Sequence, residues 1–126
     1  TTGRERRCGW FDAVAAKYSC LVNGFTDIAL TKLDILDDFD TINVCTHYEI
    51  NNEKTTSFSK LINQLDKVKP IYETVSGWDQ PTSGITNYSD LPKNAKTYID
   101  YLSNLMNTKI SIVSTGPGRN DIIRTI

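Results

Sequence analysis

A helical pattern that runs directly into an apolar strand places the strongest constraint on the fold of this chain. In "LPKNAKTYIDYLSNLMN", apolar residues recur at three- and four-residue steps, and Pro92 suits the first position of a helix. The apolar stripe of this helix comprises Ala95, Tyr98, Ile99, Leu102, Leu105 and Met106. The strand pattern "KISIVS" follows at once and ends at the turn "STGPG". Helices that alternate with apolar strands indicate an α/β layer architecture.

The same alternation is found nearer the beginning of the chain. Apolar residues at helical spacing predict a helix from Trp10 to Val22, and the Asn23-Gly24 pair that follows supplies a left-handed cap. The apolar run at residues 28–30 then predicts a buried strand.

The middle of the chain has strand and turn signals. "TINVCTHYEI" alternates with period two, which predicts a strand with Cys45 and His47 on its polar face. Asn51-Asn52 predicts a turn, residues 53–69 have the spacing of a short helix, and "PIYETVSGW" returns to a strand pattern. Pro81 and the glycine after it mark a loop.

Composition limits the class of protein. A chain of 126 residues fits one domain, and its net charge of −1 gives no general attraction to nucleic acid. Three cysteines without a C-x-x-C pair argue against a disulfide framework and a zinc site, which indicates a reducing, cytoplasmic environment. No apolar stretch is long enough to span a bilayer, so no membrane partner is expected.

The opening residues "TTGRERR" combine hydroxyls, a glycine that permits close approach and several guanidinium groups. Planar guanidinium groups suit carboxylates and phosphates, although arginine also serves solvated surfaces. Such a segment is unusual as a terminus, since termini are generally the least constrained part of a domain. We therefore expect the segment to be the interior loop of a longer protein, in which it binds an anionic substrate.

"TKLD" and "STGPG" both follow predicted strands, and ligands of open α/β sheets bind outside the carboxyl ends of the strands. The Asp34 carboxylate can accept hydrogen bonds from the N1–H and the exocyclic amine of guanine, while the stem of Lys32 covers a ring face. Adenine presents an acceptor in place of N1–H and would be rejected. In "STGPG", the tight turn leaves backbone N–H groups free for a ligand. Solvated charges and an ordinary turn are the alternatives for these two motifs.

Taken in order, "TTGRERRCGW", "LTKLDILD", "PIYETVSGW", "LPKNAKTYI" and "IVSTGPGR" resemble the C-terminal part of adenylosuccinate synthetase, and the resemblance covers the whole chain. It implies part of a P-loop-NTPase-like three-layer sheet with flanking helices. Residues 1–126 would form the C-terminal part of one such domain, with the N-terminal catalytic part absent.

The resemblance implies a GTP-dependent ligase of purine biosynthesis. GTP phosphorylates the 6-oxygen of IMP with the help of magnesium, and the amine of L-aspartate then displaces that phosphate to give adenylosuccinate. The family is generally homodimeric.

Substrate contacts carry over position by position. The resemblance assigns the L-aspartate carboxylates to Thr1, Thr2, Gly3 and Arg4, with Arg4 also reaching IMP. It assigns GTP to Arg6, Lys32, Leu33, Asp34, Ser114, Thr115 and Gly116. Glu5 departs from the family pattern, and we expect its side chain to point away from the ligand.

The catalytic aspartate and histidine of the family, its phosphate loop and its magnesium ligands belong to a region outside this chain. No catalytic or metal-binding residue is therefore assigned here, and the chain alone is expected to be inactive. The alternatives are a non-catalytic guanine-nucleotide-binding domain and a small RNA-binding module that uses the arginine-rich segment.

Three further features are expected to be structural. His47 has no partner in reach by sequence, Cys8 is expected to be a buried thiol, and the acidic run from Asp37 to Asp40 is expected to be a solvated turn.

Overall fold

The computed structural model describes residues 3–125. In chain order, its strands and α-helices are β1 (Phe11–Asp12), α1 (Ala13–Asn23), β2 (Asp27–Leu30), β3 (Thr41–Ile50), β4 (Glu53–Thr55), β5 (Lys69–Ser76), α2 (Lys93–Met106), β6 (Lys109–Ser114) and β7 (Ile122–Arg124). Short 3₁₀ helices cover Leu33–Leu36, Ser59–Gln64 and Tyr88–Asp90.

The strands form two sheets. In one, β6 lies between β2, to which it is parallel, and β7, to which it is antiparallel. In the other, β3 pairs in parallel with β1 and antiparallel with β4 and β5. The predicted α/β class is confirmed as a mixed α/β fold, but the strands of residues 3–125 lie in two sheets and do not show the P-loop-NTPase-like three-layer sheet of which the resemblance implied a part. The hydrogen-bonding edges of β3 are occupied by β1, β4 and β5, so β3 does not extend the sheet of β2.

Helix α1 begins later than its apolar spacing predicts. Asp12 caps it: the residue is extended, and its Oδ1 accepts from the N–H of Val14 at 3.0 Å and from the next N–H at 3.1 Å. Phe11 pairs with β3, so the residues from Trp10 to the cap are not helical. The predicted end is confirmed, since Gly24 adopts the left-handed conformation with φ 62°.

Helix α2 and strand β6 confirm the pattern that constrains the fold most. The predicted apolar stripe is buried except for Leu105, which is half-buried and packs against the core. Pro92 is the N-cap residue, one position before its predicted place. Asn107, left-handed at φ 50°, ends the helix, and β6 begins two residues later.

Strand β3 is confirmed, but the predicted alternation of its faces is wrong at its centre. Cys45, expected on the polar face, is 2% exposed and packs with Val14, Tyr48 and Leu61. The register of β3 against β5 shifts between Cys45 and His47, and such a bulge breaks strict alternation.

Cys45 belongs to a polar cluster in this secondary core. The Tyr48 hydroxyl donates to Asp12 Oδ2, so one carboxylate caps α1 and holds the phenol. Burial, followed by the nearby Asp12 charge, raises the pKa of the Cys45 thiol to about 11. Burial and the Asp12 contact also raise the pKa of Tyr48. Both groups are therefore neutral at physiological pH.

The predicted turn at Asn51-Asn52 is confirmed, with φ 52° and 63° at the two residues. Two left-handed residues in succession are typical of a type I′ hairpin, and they lead into β4. The helix predicted within residues 53–69 is reduced to the 3₁₀ helix at Ser59–Gln64, anchored by the buried Leu61.

The main core joins both sheets and both helices. It includes Val44 of β3, Leu102 of α2 and Val113 of β6, each fully buried. Within the described residues, no helix combines the length and apolarity that crossing a membrane requires.

Candidate binding site at the ends of strands β2 and β6

The two motifs predicted to share a sheet edge do so. Strands β2 and β6 are parallel neighbours, with Leu30 paired to Val113, so the chain leaves both strands at the same edge. We call this region the β2/β6 edge, meaning residues 31–34 and 114–118. The prediction that "TKLD" and "STGPG" lie side by side is therefore confirmed.

The first half of the edge is held in an unusual backbone conformation. Lys32 is left-handed, with φ 62° and ψ 39°, and its side chain is exposed. That conformation costs a residue with a side chain about 1–3 kcal/mol and is concentrated at ligand sites. Leu33 is 1% exposed and anchors the turn, while Asp34 is half-buried in the 3₁₀ helix that follows. An accessible ammonium and an accessible carboxylate thus flank a fixed leucine.

A cleft of about 220 Å³ lies between this half of the edge and the segment before β1. Its lining includes Gly9, Trp10, Thr31, Lys32, Leu33 and Tyr98. Burial raises the pKa of the Tyr98 phenol to about 12, so this group is a neutral hydroxyl at physiological pH. A second cavity of about 480 Å³ shares Gly9 and Trp10 with the first. The fold therefore places Gly9 and Trp10 next to "TKLD".

The opening segment, residues 3–10, has no regular secondary structure. Gly3 is left-handed at φ 67°, and every residue from it to Gly9 is exposed. Arg4 and Arg6 thus present accessible guanidinium groups, and Glu5 between them is exposed as well. The predicted site residues Thr1 and Thr2 lie outside the described residues.

The second half of the edge makes more local hydrogen bonds than the sequence predicts. The backbone N–H of Thr115 donates to the Asp121 carbonyl at 2.9 Å, and that of Gly118 donates to Asp121 Oδ2 at 2.8 Å. These two N–H groups are therefore not free for a ligand, which corrects the prediction. A Cβ on Gly116 or Gly118 would lie 2.6 Å from Asp121 Oδ2, so the glycines make room for that carboxylate.

The three predicted positions in this half are not equivalent. Thr115 is fully buried, and its hydroxyl donates to the Ile85 carbonyl at 2.8 Å, so its side chain is not available to a ligand. Ser114 and Gly116 are half-buried, and the Ser114 hydroxyl is 3.0 Å from the Gly116 carbonyl. Thr115 therefore positions the turn, whereas its two neighbours remain reachable.

The acidic run is not a solvated turn at its first member. Asp37 Oδ1 accepts from Trp78 Nε1 and from Thr82 Oγ1, and its Oδ2 accepts from the backbone N–H of Thr82, each at 2.7 Å. Trp78 is 2% exposed and Thr82 fully buried. Only Asp38 and Asp40 are exposed, as predicted. Nothing local distinguishes Asp37, because its partners lie 41 and 45 residues away along the chain.

Cys8 and His47 are the remaining polar candidates. Cys8 is exposed, which corrects the expectation of a buried thiol, and the three cysteines are free. His47 Nδ1 is 3.0 Å from Thr46 Oγ1. Among the described residues, no cluster of three or more His, Cys, Asp or Glu side chains could hold a metal ion.

Comparison with known proteins shows the family of this chain. The family model for adenylosuccinate synthetase matches residues 1–123. The chain belongs to the adenylosuccinate synthetase family. It is 44% identical over 123 residues to adenylosuccinate synthetase of Schizosaccharomyces pombe and 48% identical over 123 residues to that of Picosynechococcus, covering 98% of this chain in both cases.

The fold comparison agrees with the family. A structure of fully ligated adenylosuccinate synthetase from Plasmodium falciparum matches with a TM-score of 0.87 and 30% identity over 100% of this chain. The chain spans 28% of the length of these two curated relatives and 31% of the P. falciparum chain. The matched part of these adenylosuccinate synthetases is therefore less than a third of their length.

Proposed function

We propose that this chain is the substrate-binding C-terminal part of an adenylosuccinate synthetase, a ligase that joins IMP to L-aspartate with GTP as the phosphoryl donor. The observation that carries the proposal is the β2/β6 edge, where Lys32 and Asp34 flank an anchored leucine beside a cleft. Family membership supplies the reaction class. The edge supplies groups suited to a guanine base.

Asp34 is proposed to read guanine. An ionised carboxylate accepts hydrogen bonds and donates none, so it matches the N1–H and amine edge of guanine and repels the acceptor that adenine presents there. Hydrogen bonds to a charged group are worth about 1.5–3 kcal/mol each, which is enough to select one purine. The exposed Lys32 stem is proposed to cover the base. The buried Leu33 fixes the backbone between Lys32 and Asp34.

The second half of the edge is proposed to complete the GTP site. Ser114 and Gly116 are reachable, and Thr115 holds their backbone through its bond to Ile85. Arg6 in the opening segment is proposed to meet the same nucleotide, since its exposed guanidinium suits phosphate oxygens.

The opening segment and the two threonines that precede it are proposed to bind L-aspartate. Thr1, Thr2 and Gly3 would offer hydroxyl and backbone donors to the carboxylates, and the exposed Arg4 would form charge-assisted bonds to them and reach IMP. In the proposed reaction, phosphate is transferred from GTP to the 6-oxygen of IMP, and the aspartate amine then displaces it. This chain would hold and orient GTP and aspartate for both steps.

The groups that move protons, bind magnesium and cradle the transferred phosphate are proposed to lie in the rest of the enzyme, where strands would complete a P-loop-NTPase-like sheet. We also propose a cytoplasmic homodimer. The chain alone is then inactive.

Steady-state kinetics of the complete enzyme test this function. Asp34→Asn should raise the KM for GTP about 10- to 100-fold, because one charge-assisted hydrogen bond to the base is lost, and leave the KM for L-aspartate unchanged. Asp38→Asn is the matched control, since Asp38 is an exposed carboxylate in the nearby turn. An unchanged GTP KM in Asp34→Asn would remove the guanine role. GTP binding without adenylosuccinate formation by the complete protein would favour the non-catalytic alternative.

A further inference from the structure

One loop is hydrogen-bonded to Thr115 in the second half of the β2/β6 edge and to Asp37, three residues after the first half ends. We call residues 77–85, which follow β5, the bridging loop. Thr82 donates to Asp37 through its backbone N–H and its hydroxyl. On the other side, the N–H of Gly84 donates to the Thr115 carbonyl at 3.2 Å, and the Ile85 carbonyl accepts from the Thr115 hydroxyl. Thr82, which contacts Asp37, and Ile85, which contacts Thr115, are only three residues apart in the chain.

We propose that the bridging loop fixes the separation between the two halves of the guanine-nucleotide site, with Asp37 and Thr82 as positioning residues. The proposal rests on the proposed function, and it assigns a role in GTP binding to residues that would not touch GTP.

Asp37 is coupled to Asp34 by the backbone. The N–H of Asp37 donates to the Asp34 carbonyl at 3.2 Å, which closes the 3₁₀ helix that carries the proposed guanine-reading carboxylate. A shift of Asp37 therefore shifts the backbone of Asp34. The N–H of Gly77 donates to the Asp40 carbonyl at 2.8 Å, which ties the start of the loop to the same turn.

Thr82 is positioned to couple Asp37 to the second half of the edge. It is fully buried, and both of its donors are directed to one carboxylate. Charge-assisted hydrogen bonds are short and directional, so they define a distance more closely than apolar contact does. Two residues later, Gly84 contacts Thr115, so the path from one half of the edge to the other is short.

Trp78 links the loop to the wall of the cleft. Its Nε1 donates to Asp37, and its ring packs against Tyr98 with centroids 5.8 Å apart and planes at 51°. Tyr98 lines the cleft beside Lys32. The same carboxylate thus orients the cleft wall and the backbone of Asp34.

Kinetics of Thr82→Val in the complete enzyme test the proposal. The substitution keeps the volume and removes the hydroxyl donor to Asp37. We expect the KM for GTP to rise by up to about tenfold, because the lost bond to the Asp37 carboxylate no longer holds the backbone of Asp34 in place, with the KM for L-aspartate unchanged. Thr82→Ser restores the donor and should restore the KM for GTP.

The matched control is Thr125→Val. The Thr125 hydroxyl donates to the Ile110 carbonyl at 2.7 Å, near the opposite end of β6. This variant also loses a threonine hydroxyl bond, but away from the β2/β6 edge, and we expect its KM for GTP to equal that of the wild type. Asp37→Asn is the second variant, for use if Thr82→Val does not fold. In either orientation its amide N–H groups face an N–H donor, that of the Thr82 backbone or that of Trp78 Nε1, so it should likewise raise the KM for GTP alone.

The outcomes separate this inference from the proposed function. If Asp34→Asn raises the KM for GTP while Thr82→Val and Asp37→Asn do not, the bridging loop is only structural and the inference is overturned. Equal changes in the KM for GTP and L-aspartate, or no rescue by Thr82→Ser, would also overturn it. If Asp34→Asn leaves the KM for GTP unchanged, the proposed function itself fails.

Discussion

The β2/β6 edge and the opening segment lie next to each other and are held in opposite ways. At the edge, Leu33 and Thr115 are buried, and the bridging loop is hydrogen-bonded to Thr115 and to Asp37, which closes the 3₁₀ helix of Asp34. In the opening segment, every residue from Gly3 to Gly9 is exposed and irregular. The proposed guanine side is therefore pre-formed by the chain itself. The proposed aspartate side has suitable groups, but its shape must be completed by ligand or by the rest of the enzyme, at a cost in ordering.

The largest expected effect is on stability and compares two glycines. A Cβ on Gly77 would lie 1.9 Å from the Phe39 carbonyl oxygen, whereas a Cβ on Gly9 would meet nothing within 4 Å. Because backbone atoms cannot yield as a side chain can, Gly77→Ala should lower the free energy of unfolding by about 3 kcal/mol or more. Gly9→Ala should change it by less than about 0.5 kcal/mol. Denaturant unfolding of the complete enzyme measures both, and similar values would contradict the contrast.

A smaller effect is expected on substrate use in the opening segment. Arg4→Leu removes the guanidinium proposed to hold the aspartate carboxylates, so the KM for L-aspartate should rise about 10- to 100-fold. The KM for GTP should stay within about twofold, because the edge is positioned independently of this segment.

Arg7→Leu is the matched control for Arg4→Leu, since Arg7 is also an exposed arginine of the opening segment. Its KM for L-aspartate should match that of the wild type. An unaltered aspartate KM in Arg4→Leu would remove Arg4 from the site, and a loss of GTP binding in that variant would show that the two regions are not independent.

The smallest expected effect is a difference in alkylation between the exposed Cys8 of the opening segment and the buried Cys45. At neutral pH, alkylation followed by peptide mass spectrometry should label Cys8 and spare Cys45. Burial raises the pKa of Cys45 from 9.0 to about 11, so the folded state favours the neutral thiol. That contribution to stability is complete below pH 9 and is lost as the pH rises toward 11.

The pH effect of Cys45 is isolated by difference. Between pH 9 and 11, the wild type should lose at most about 1.4 kcal/mol of unfolding free energy per pH unit more than Cys45→Ala does. Groups distant from residue 45 are unchanged in Cys45→Ala, and their contributions cancel in the difference. Parallel pH curves for the two proteins would contradict a raised thiol pKa, and rapid labelling of Cys45 would contradict its burial.

Local chemistry explains what could be predicted from the sequence. Strands β2 and β6, helix α2 and the left-handed caps depend on residues close together in the chain, and the shared edge follows from parallel pairing. The Asp37–Thr82 bonds could not be predicted, because the partners are 45 residues apart. Burial of Cys45 depends on a bulge set by β5, and the division into two sheets depends on which edges of β3 are occupied. Pairings between distant segments have no local signature.

The most direct test of the central claim, that Asp34 reads guanine at the β2/β6 edge, is a change of base specificity in the complete enzyme. Xanthine has a carbonyl in place of the exocyclic amine of guanine, so an asparagine can accept from its N1–H and donate to that carbonyl. We predict that Asp34→Asn prefers xanthosine triphosphate to GTP by kcat/KM, whereas the wild type prefers GTP. Retention of the GTP preference by Asp34→Asn would contradict the account.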